Sequence, residues 1–240
     1  ENSNSLAKQL LKAAYIGILT GGTTSRMRAE RLRDVTPDWH WDWIDTDAAM
    51  RCSSRVWRSL AFRFKWGKSV ERINADVSSA ISPAGYDLIW VDKGVFLTRA
   101  TMSRLRNAAE KMLHFTPDTA FYANVSRHFE ESLGAYDLLV TTKAFEIEDY
   151  RIRGAGERTL LSTQGYDAAL HRPPGSREER RREAVFVGLA EPDREECLGL
   201  LLQAGIPVRL GGRGWERFLR RHAGCPHLFF EGQEVFGQAY

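Results

Sequence analysis

Tyr86-Asp87-Leu88-Ile89-Trp90-Val91-Asp92-Lys93-Gly94 is the stretch that decides the fold. It is almost continuously apolar up to Val91 and then stops at a charged pair and a glycine. Such a run, without polar alternation, is what a strand covered on both faces looks like. Four other apolar runs stop in the same way. The run 13–19 ends in Thr20-Gly21-Gly22-Thr23-Thr24-Ser25-Arg26, and 41–44 in Asp45-Thr46-Asp47. The run 112–115 ends in Thr116-Pro117-Asp118, and 136–140 in Thr141-Thr142-Lys143. Helical patterns lie between them, which predicts an α/β fold with the runs as parallel strands of one open sheet. Ligands bind such sheets outside the carboxyl ends of the strands, so the polar clusters form one candidate rim.

The segments between the runs read as follows. Thr24 or Ser25 suits the cap of a helix reaching Leu32, and the spacing of Arg26, Arg28, Arg31 and Arg33 predicts a solvated face. Val56, Leu60, Phe64, Val70, Ile73 and Val77 recur at helical spacing, with Gly67 as a break. A helix is expected over 98–110 with Thr98 as its cap, and a sixth strand over 158–161, ending at Ser162-Thr163-Gln164-Gly165.

His171-Arg172-Pro173-Pro174-Gly175-Ser176 then combines helix breakers with a charged run, the signature of an interdomain connection. The pattern restarts beyond it: Ala184-Val185-Phe186-Val187-Gly188 as a strand, a helix over 193–204, and Ile206-Pro207-Val208-Arg209-Leu210 as a second strand. This is the opening βαβ of a second Rossmann-like unit. The expected organisation is a loose N-terminus over 1–12, a Rossmann-like domain over 13–172, a linker over 173–183, and the start of a truncated second domain over 184–240.

Composition narrows the class. At 240 residues and 43% hydrophobic content the chain can bury a sizeable core, and its apolar runs are too short to span a membrane. Cys52, Cys197 and Cys225 are odd in number and form no CxxC, which points away from disulfides and zinc and towards a reducing cytoplasm. Net charge is +3, and the arginine-rich stretch 177–182 is interleaved with glutamates, so nucleic acid is not the expected partner.

Each polar cluster has a chemical reading and a structural one. Gly21-Gly22-Thr23-Thr24-Ser25 suits an anion or sugar hydroxyls at a helix N-terminus, but it is neither GxGxxG nor a P-loop, and it equally reads as a tight capped turn. Asp45 and Asp47 suit hydroxyl recognition or capping. Asp92-Lys93 reads as an opposite-charge pair, for a ligand hydroxyl or as scaffold. Asp118 is the carboxylate best placed as general base; a turn Asp is its competing reading, and His114, His128 and His171 are alternative bases. Lys143, beside a Thr cap, reads as reaching over the crevice or as plain surface. Gly188 and Arg194 lie where a diphosphate would meet a helix N-terminus, though Arg194 equally pairs with Glu191. A receiver-type signalling domain needs an acidic pair after the first strand, where this chain has Gly-Gly-Thr-Thr.

The ordered series resembles the glycosyltransferases related to the spore-maturation protein CgeB. The resemblance runs through Tyr15-Ile16-Gly17, Gly22-Thr23-Thr24-Ser25, Asp45-Thr46-Asp47, the 86–94 stretch, Thr116-Pro117-Asp118 and Tyr136-Asp137-Leu138 with Thr141-Thr142-Lys143. It continues through Gly165-Tyr166-Asp167, His171-Arg172-Pro173, Val185-Phe186-Val187-Gly188, Arg194-Glu195, Gly205-Ile206-Pro207-Val208 and Gly214-Trp215. It implies a GT-B arrangement of two Rossmann-like domains, independent of metal and needing no cofactor, with a nucleotide-sugar as donor substrate. The N-terminal domain would meet the acceptor, here through Gly22, Thr23, Thr24, Asp92, Lys93, Thr142 and Lys143. The second domain would hold the donor, here through Gly188 and Arg194, and family members continue well past residue 240. The implied activity is sugar transfer to an acceptor hydroxyl with Asp118 as base. The rival from another class is a noncatalytic domain that binds a glycan or protein and lacks a donor half.

Overall fold

The apolar runs of the first part of the chain become β1 (Leu11–Gly17), β2 (Trp39–Asp45), β3 (Tyr86–Asp92), β4 (Ala109–Thr116), β5 (Leu138–Thr141) and β6 (Thr159–Leu161). All pair in parallel, in the order β2-β1-β3-β4-β5-β6. The structure, a computed structural model, describes residues 10–83, 85–166 and 181–233. The chain divides into two compact units after Gly165. Most of the expected linker, and the His171-Arg172-Pro173 stretch, lie outside the described residues.

Strand alternation sends neighbouring side chains to opposite faces. Tyr15 packs with Leu19, Ala29, Trp41, Trp43 and Trp90 on one face. Ala14 and Ile16 join Ile89, Val91, Val70 and Ile73 on the other. That second cluster is the main core, and each fully buried isoleucine in it contributes roughly 1.5–3 kcal/mol.

Helices α1 (Thr24–Val35), α2 (Ala48–Arg51), α3 (Arg55–Phe64), α4 (Lys68–Ala80), α5 (Arg99–Ala108), α6 (Arg127–Ser132) and α7 (Ile147–Ile152) connect the strands. The cap of α1 is Thr23, one residue before the expected position, because its hydroxyl accepts from the Arg26 amide at 3.3 Å. Thr98 caps α5 as expected. That helix ends at Ala108 rather than 110, because Ala109 already pairs with Tyr86 as the first residue of β4. The break at Gly67 (φ 103°) lets α3 hand over to α4, and a Cβ there would lie 3.0 Å from the Trp57 ring. Beyond the Thr cap expected beside Lys143 the chain makes a short 3-10 turn at Ala144–Glu146 that leads into α7, and that turn has no side-chain cap.

The second unit contains β7 (Ala184–Val187), α8 (Pro192–Gln203), β8 (Val208–Gly211), α9 (Glu216–Arg221) and β9 (Leu228–Gly232). Its sheet is parallel, in the order β7-β8-β9. Leu198, Leu202, Val208, Leu210, Trp215 and Phe218 form its core. The Trp215 indole donates to the Gly188 carbonyl at 2.8 Å, and a Cβ on Gly212 would lie 2.1 Å from that same oxygen. Two glycines thus let the ends of β7 and β8 close on each other. The restart expected at residue 184 is present, and it gains a third strand that the sequence reading did not assign.

Candidate functional site

Strand order locates the site. The chain leaves β1 towards β2 and then crosses β1 to form β3, so the direction of winding reverses between β1 and β3. The crevice outside the carboxyl ends of strands at such a switch point is where open α/β sheets bind ligands. A cleft of about 100 Å³ opens there, lined by Ile16 of β1 and Ile18 just beyond it, Lys93 and Phe96 beyond β3, and Phe62, Lys65 and Ile73 from the α3–α4 region. Asn74 steadies its wall: its amide donates to the carbonyls of Val70 and Phe96 at 2.8 Å each, and its carbonyl accepts from the Thr98 amide at 2.8 Å.

Asp92 and Lys93 do not form the expected pair. The Asp92 side chain is buried, and its Oδ2 accepts from the Tyr15 hydroxyl and from Arg28 Nη1. Oδ1 is buried with no partner among the described residues. Burial, and then the neighbouring Asp92 charge, push the Tyr15 phenol well above its ordinary value, so it stays protonated and donates. Arg28 lies over the Phe115 ring at 4.1 Å, which removes it from the solvated face that its spacing predicted. Asp92 is therefore held in a buried ion pair beneath the rim.

Lys93 turns the other way. Its backbone is left-handed (φ 65°), its amide donates to Phe115 O at 2.9 Å, and its Nζ meets Asp118 Oδ2 at 2.5 Å. The Lys93 carbonyl accepts from His114 Nε2 at 3.0 Å, which sets the tautomer, since a carbonyl only accepts. Burial pulls His114 down to about 4, so the ring is neutral and structural, lying against Phe129 and Tyr136. Its Nε2 thereby holds the Lys93 carbonyl in place. A second lysine repeats the motif: Lys65, also left-handed (φ 53°), accepts on its carbonyl from His128 Nε2 at 3.0 Å. His171 lies outside the described residues.

The remaining rim residues divide between exposed and structural positions. Asp118 is half exposed, and its turn is made by the Thr116 hydroxyl, which donates to Asp118 O at 3.0 Å, so the carboxylate is left for Lys93. Thr142 donates to Pro117 O at 2.9 Å and braces the same loop, and the Lys143 amide donates to Thr141 Oγ1 at 3.2 Å. Gly22 (φ 80°) supplies the turn before α1, Thr23 caps it, and Thr24 is exposed in its first turn. Asp45 and Asp47 tie two loops together: Asp45 Oδ1 accepts from the Leu19 amide at 3.1 Å, and Asp47 Oδ2 from the Thr20 hydroxyl at 2.8 Å. Arg51 bridges both carboxylates, which satisfies them within the protein.

In the second unit, Gly188 N donates to Gly211 O at 3.0 Å, so this amide is already engaged. Arg194 pairs with Glu191 at 3.2 Å and donates to Leu189 O at 3.0 Å, which is the local pairing that the sequence also allowed.

Asp92, Lys93, Asp118 and Thr142 thus share one edge of the first sheet. Sequence reasoning missed Tyr15, Arg28, Phe62 and Lys65. Arg28 and Asp92 are 64 positions apart, and nothing in the local pattern links them. Lys65 carried a faint signal, two residues before a glycine at the end of a helical repeat.

No family model matches this chain, and no curated protein matches it either. Solved structures do. One is the UDP-N-acetylglucosamine 2-epimerase of Rickettsia bellii, with TM-score 0.54 and 11% identity, covering 92% of this chain and 68% of that one. Another is an alpha-glucosyltransferase in complex with UDP and a 13-mer DNA containing a central A:G mismatch. Its TM-score is 0.53 at 10% identity, over 90% of this chain and 60% of that one. At these identities the likeness is one of fold, and the fold is GT-B Rossmann-like. This chain spans about two thirds of the first neighbour's length and rather less of the second's. Among the described residues no helix is long and apolar enough to cross a membrane.

Proposed function

We propose that this chain is the acceptor-side domain of a nucleotide-sugar-dependent glycosyltransferase of the CgeB-like kind, with donor-side elements in its second unit. One observation carries the reading: Lys93, which lines the switch-point cleft of a GT-B-type sheet, pairs with Asp118. A half-exposed ion pair of this kind contributes about 0–1 kcal/mol to stability, whereas holding a non-glycine residue left-handed costs on the order of 1 kcal/mol or more. The ion pair by itself does not offset that cost, which supports a role for the Lys93 side chain towards a ligand.

In the proposed reaction Asp118 takes the proton of the acceptor hydroxyl while the oxygen attacks the anomeric carbon. The bond from that carbon to the diphosphate breaks, and the nucleoside diphosphate leaves with the electron pair. Lys93 holds the Asp118 carboxylate in place, and Gly22, Thr23, Thr24, Thr142 and Lys143 complete the acceptor side. Gly188 gives the donor diphosphate room to approach, and Arg194, freed from Glu191, meets its charge. No cofactor or metal enters this scheme.

The test is a panel of nucleotide-sugars assayed for binding, hydrolysis and transfer with this chain. Asp118→Asn in a chain that turns over is expected to lower the rate by about 10²–10⁴, the range for a positioned base, with the fold intact. An unchanged rate removes Asp118 from the mechanism. Failure of every nucleotide-sugar to bind or react refutes the transferase reading, and glycan binding without any nucleotide-sugar would favour the noncatalytic alternative.

A further inference from the structure

The cleft at the switch point differs in character from a sugar site. Ile16, Ile18, Ile73, Phe62, Phe96 and Leu97 make its wall predominantly apolar. A sugar ring presents hydroxyls on every edge, and each needs a polar partner once it leaves water. At about 100 Å³ the cleft has room for no more than one six-membered ring, since an engineered apolar cavity that takes up benzene measures about 150 Å³. Phe62 and Phe96 meet edge to face, with centroids 6.2 Å apart at 78°, the arrangement into which a further aromatic ring packs favourably.

Charge identifies the second feature of the ligand. Lys65 Nζ sits 5.4 Å from the centroid of the Phe96 ring and donates to Phe62 O at 2.6 Å. An ammonium carries three N–H groups, so this bond leaves two. Lys93, the other lysine lining the cleft, has Asp118 as a carboxylate partner, whereas Lys65 has no ion pair among the described residues. Burial pulls the Lys65 ammonium below the ordinary lysine value, a cost that an anion beside it would offset.

Strain marks the same place. Among the described residues, Lys65 and Lys93 are the two non-glycine residues with positive φ, and both line this cleft. Each has its carbonyl pinned by a histidine ring, from His128 and His114 respectively. Lys65 is the left-handed cap that ends α3, an ordinary helix stop, whereas Lys93 follows a strand, and left-handed residues held by their surroundings concentrate at ligand sites.

We propose that the cleft binds a single aromatic ring carrying an anionic group, with the ring between Phe62, Phe96 and Ile73 and the anion on Lys65 Nζ. Resting on the acceptor reading above, this makes the acceptor a hydroxylated aromatic acid whose hydroxyl is presented to Lys93 and Asp118.

The experiment titrates the full chain, by heteronuclear NMR or calorimetry, with 4-hydroxybenzoate, its neutral analogue 4-hydroxybenzamide, cyclohexanecarboxylate and methyl glucoside. The benzoate is expected to bind at least tenfold more tightly than the amide, the lower end of what a hydrogen bond to a charged group contributes. It should also bind more tightly than the cyclohexane acid, with methyl glucoside weakest. Lys65→Met should erase the preference for the anion, Lys65→Arg should retain it, and Phe62→Ala should weaken both aromatic ligands. Equal binding of benzoate and amide, a preference that survives in Lys65→Met, or tighter binding of methyl glucoside overturns the proposal. Aromatic acids that bind as expected, in a chain that takes no nucleotide-sugar, would sink the transferase reading and leave this one standing. Sugar transfer without aromatic binding would do the reverse.

Discussion

Lowering the pH from 7 to 5 should cost the first unit about 2 kcal/mol through His114 alone, by proton linkage. The ring is 1% exposed, and burial pulls it down to about 4, while an unfolded histidine titrates near about 6.5. Between those values the unfolded chain binds a proton that the folded chain refuses, so stability falls as the pH drops through this window. The slope approaches about 1.4 kcal/mol per pH unit, and the total loss by pH 4 is about 3 kcal/mol. The assay is urea unfolding at a series of pH values for the native chain and for His114→Gln. Glutamine keeps an N–H donor for the Lys93 carbonyl and does not titrate. It also loses the ring contacts to Phe129 and Tyr136, which lowers stability by a similar amount at every pH. Carboxylates held low by their hydrogen-bond donors, such as Asp137 by the Met112 amide and then Arg106, titrate alike in both proteins, so the difference in slope isolates the histidine. Parallel slopes for the two proteins, or a His114 ring that protonates above pH 6 by NMR, would refute the reasoning.

Three further outcomes follow from the packing. Gly17→Ala would place a Cβ 2.7 Å from Ser25 Oγ and 2.9 Å from Asp92 Cβ, so a loss of about 1–3 kcal/mol is expected in chemical denaturation from overpacking. Arg28→Met leaves the buried Asp92 carboxylate with Tyr15 alone; breaking a buried pair by removing one member costs about 3–5 kcal/mol, measurable as an earlier urea midpoint. Gly212→Ala combines a φ of 114° with a Cβ 2.1 Å from Gly188 O, and amide exchange in β7, β8 and β9 should rise sharply.

Much of the fold was legible because the signals are local. An apolar run that stops at a polar cluster reads as a strand in a covered parallel sheet, and five such runs, together with the short stretch before Ser162, became β1 to β6. Thr98 as a cap and Gly67 as a break were legible for the same reason, since capping and positive φ depend on a few neighbouring atoms. Boundaries slipped where tertiary pairing overrode local preference: Ala109 lies in the expected helix by pattern but in β4 by its pairing with Tyr86. The strand β9 went unassigned because its run is short, and Phe229 and Phe230 are each about 40% exposed, without the burial that an apolar run signals.

The candidate site divides in the same way. That Asp92, Lys93, Asp118 and Thr142 share an edge follows from the sequence alone, since parallel strands joined by helical crossovers bring all their carboxyl ends to one side. Which of them meet was decided by the tertiary structure. Strand order puts the reversal of winding between β1 and β3, and thus the cleft beside Lys93. Side-chain alternation along β3 sends Asp92 under the sheet edge to Tyr15 and Arg28, while the left-handed turn that follows swings Lys93 towards Asp118. Adjacent residues in the chain were thereby separated and distant ones joined. A pairing across strands depends on register and backbone direction, which no local pattern records.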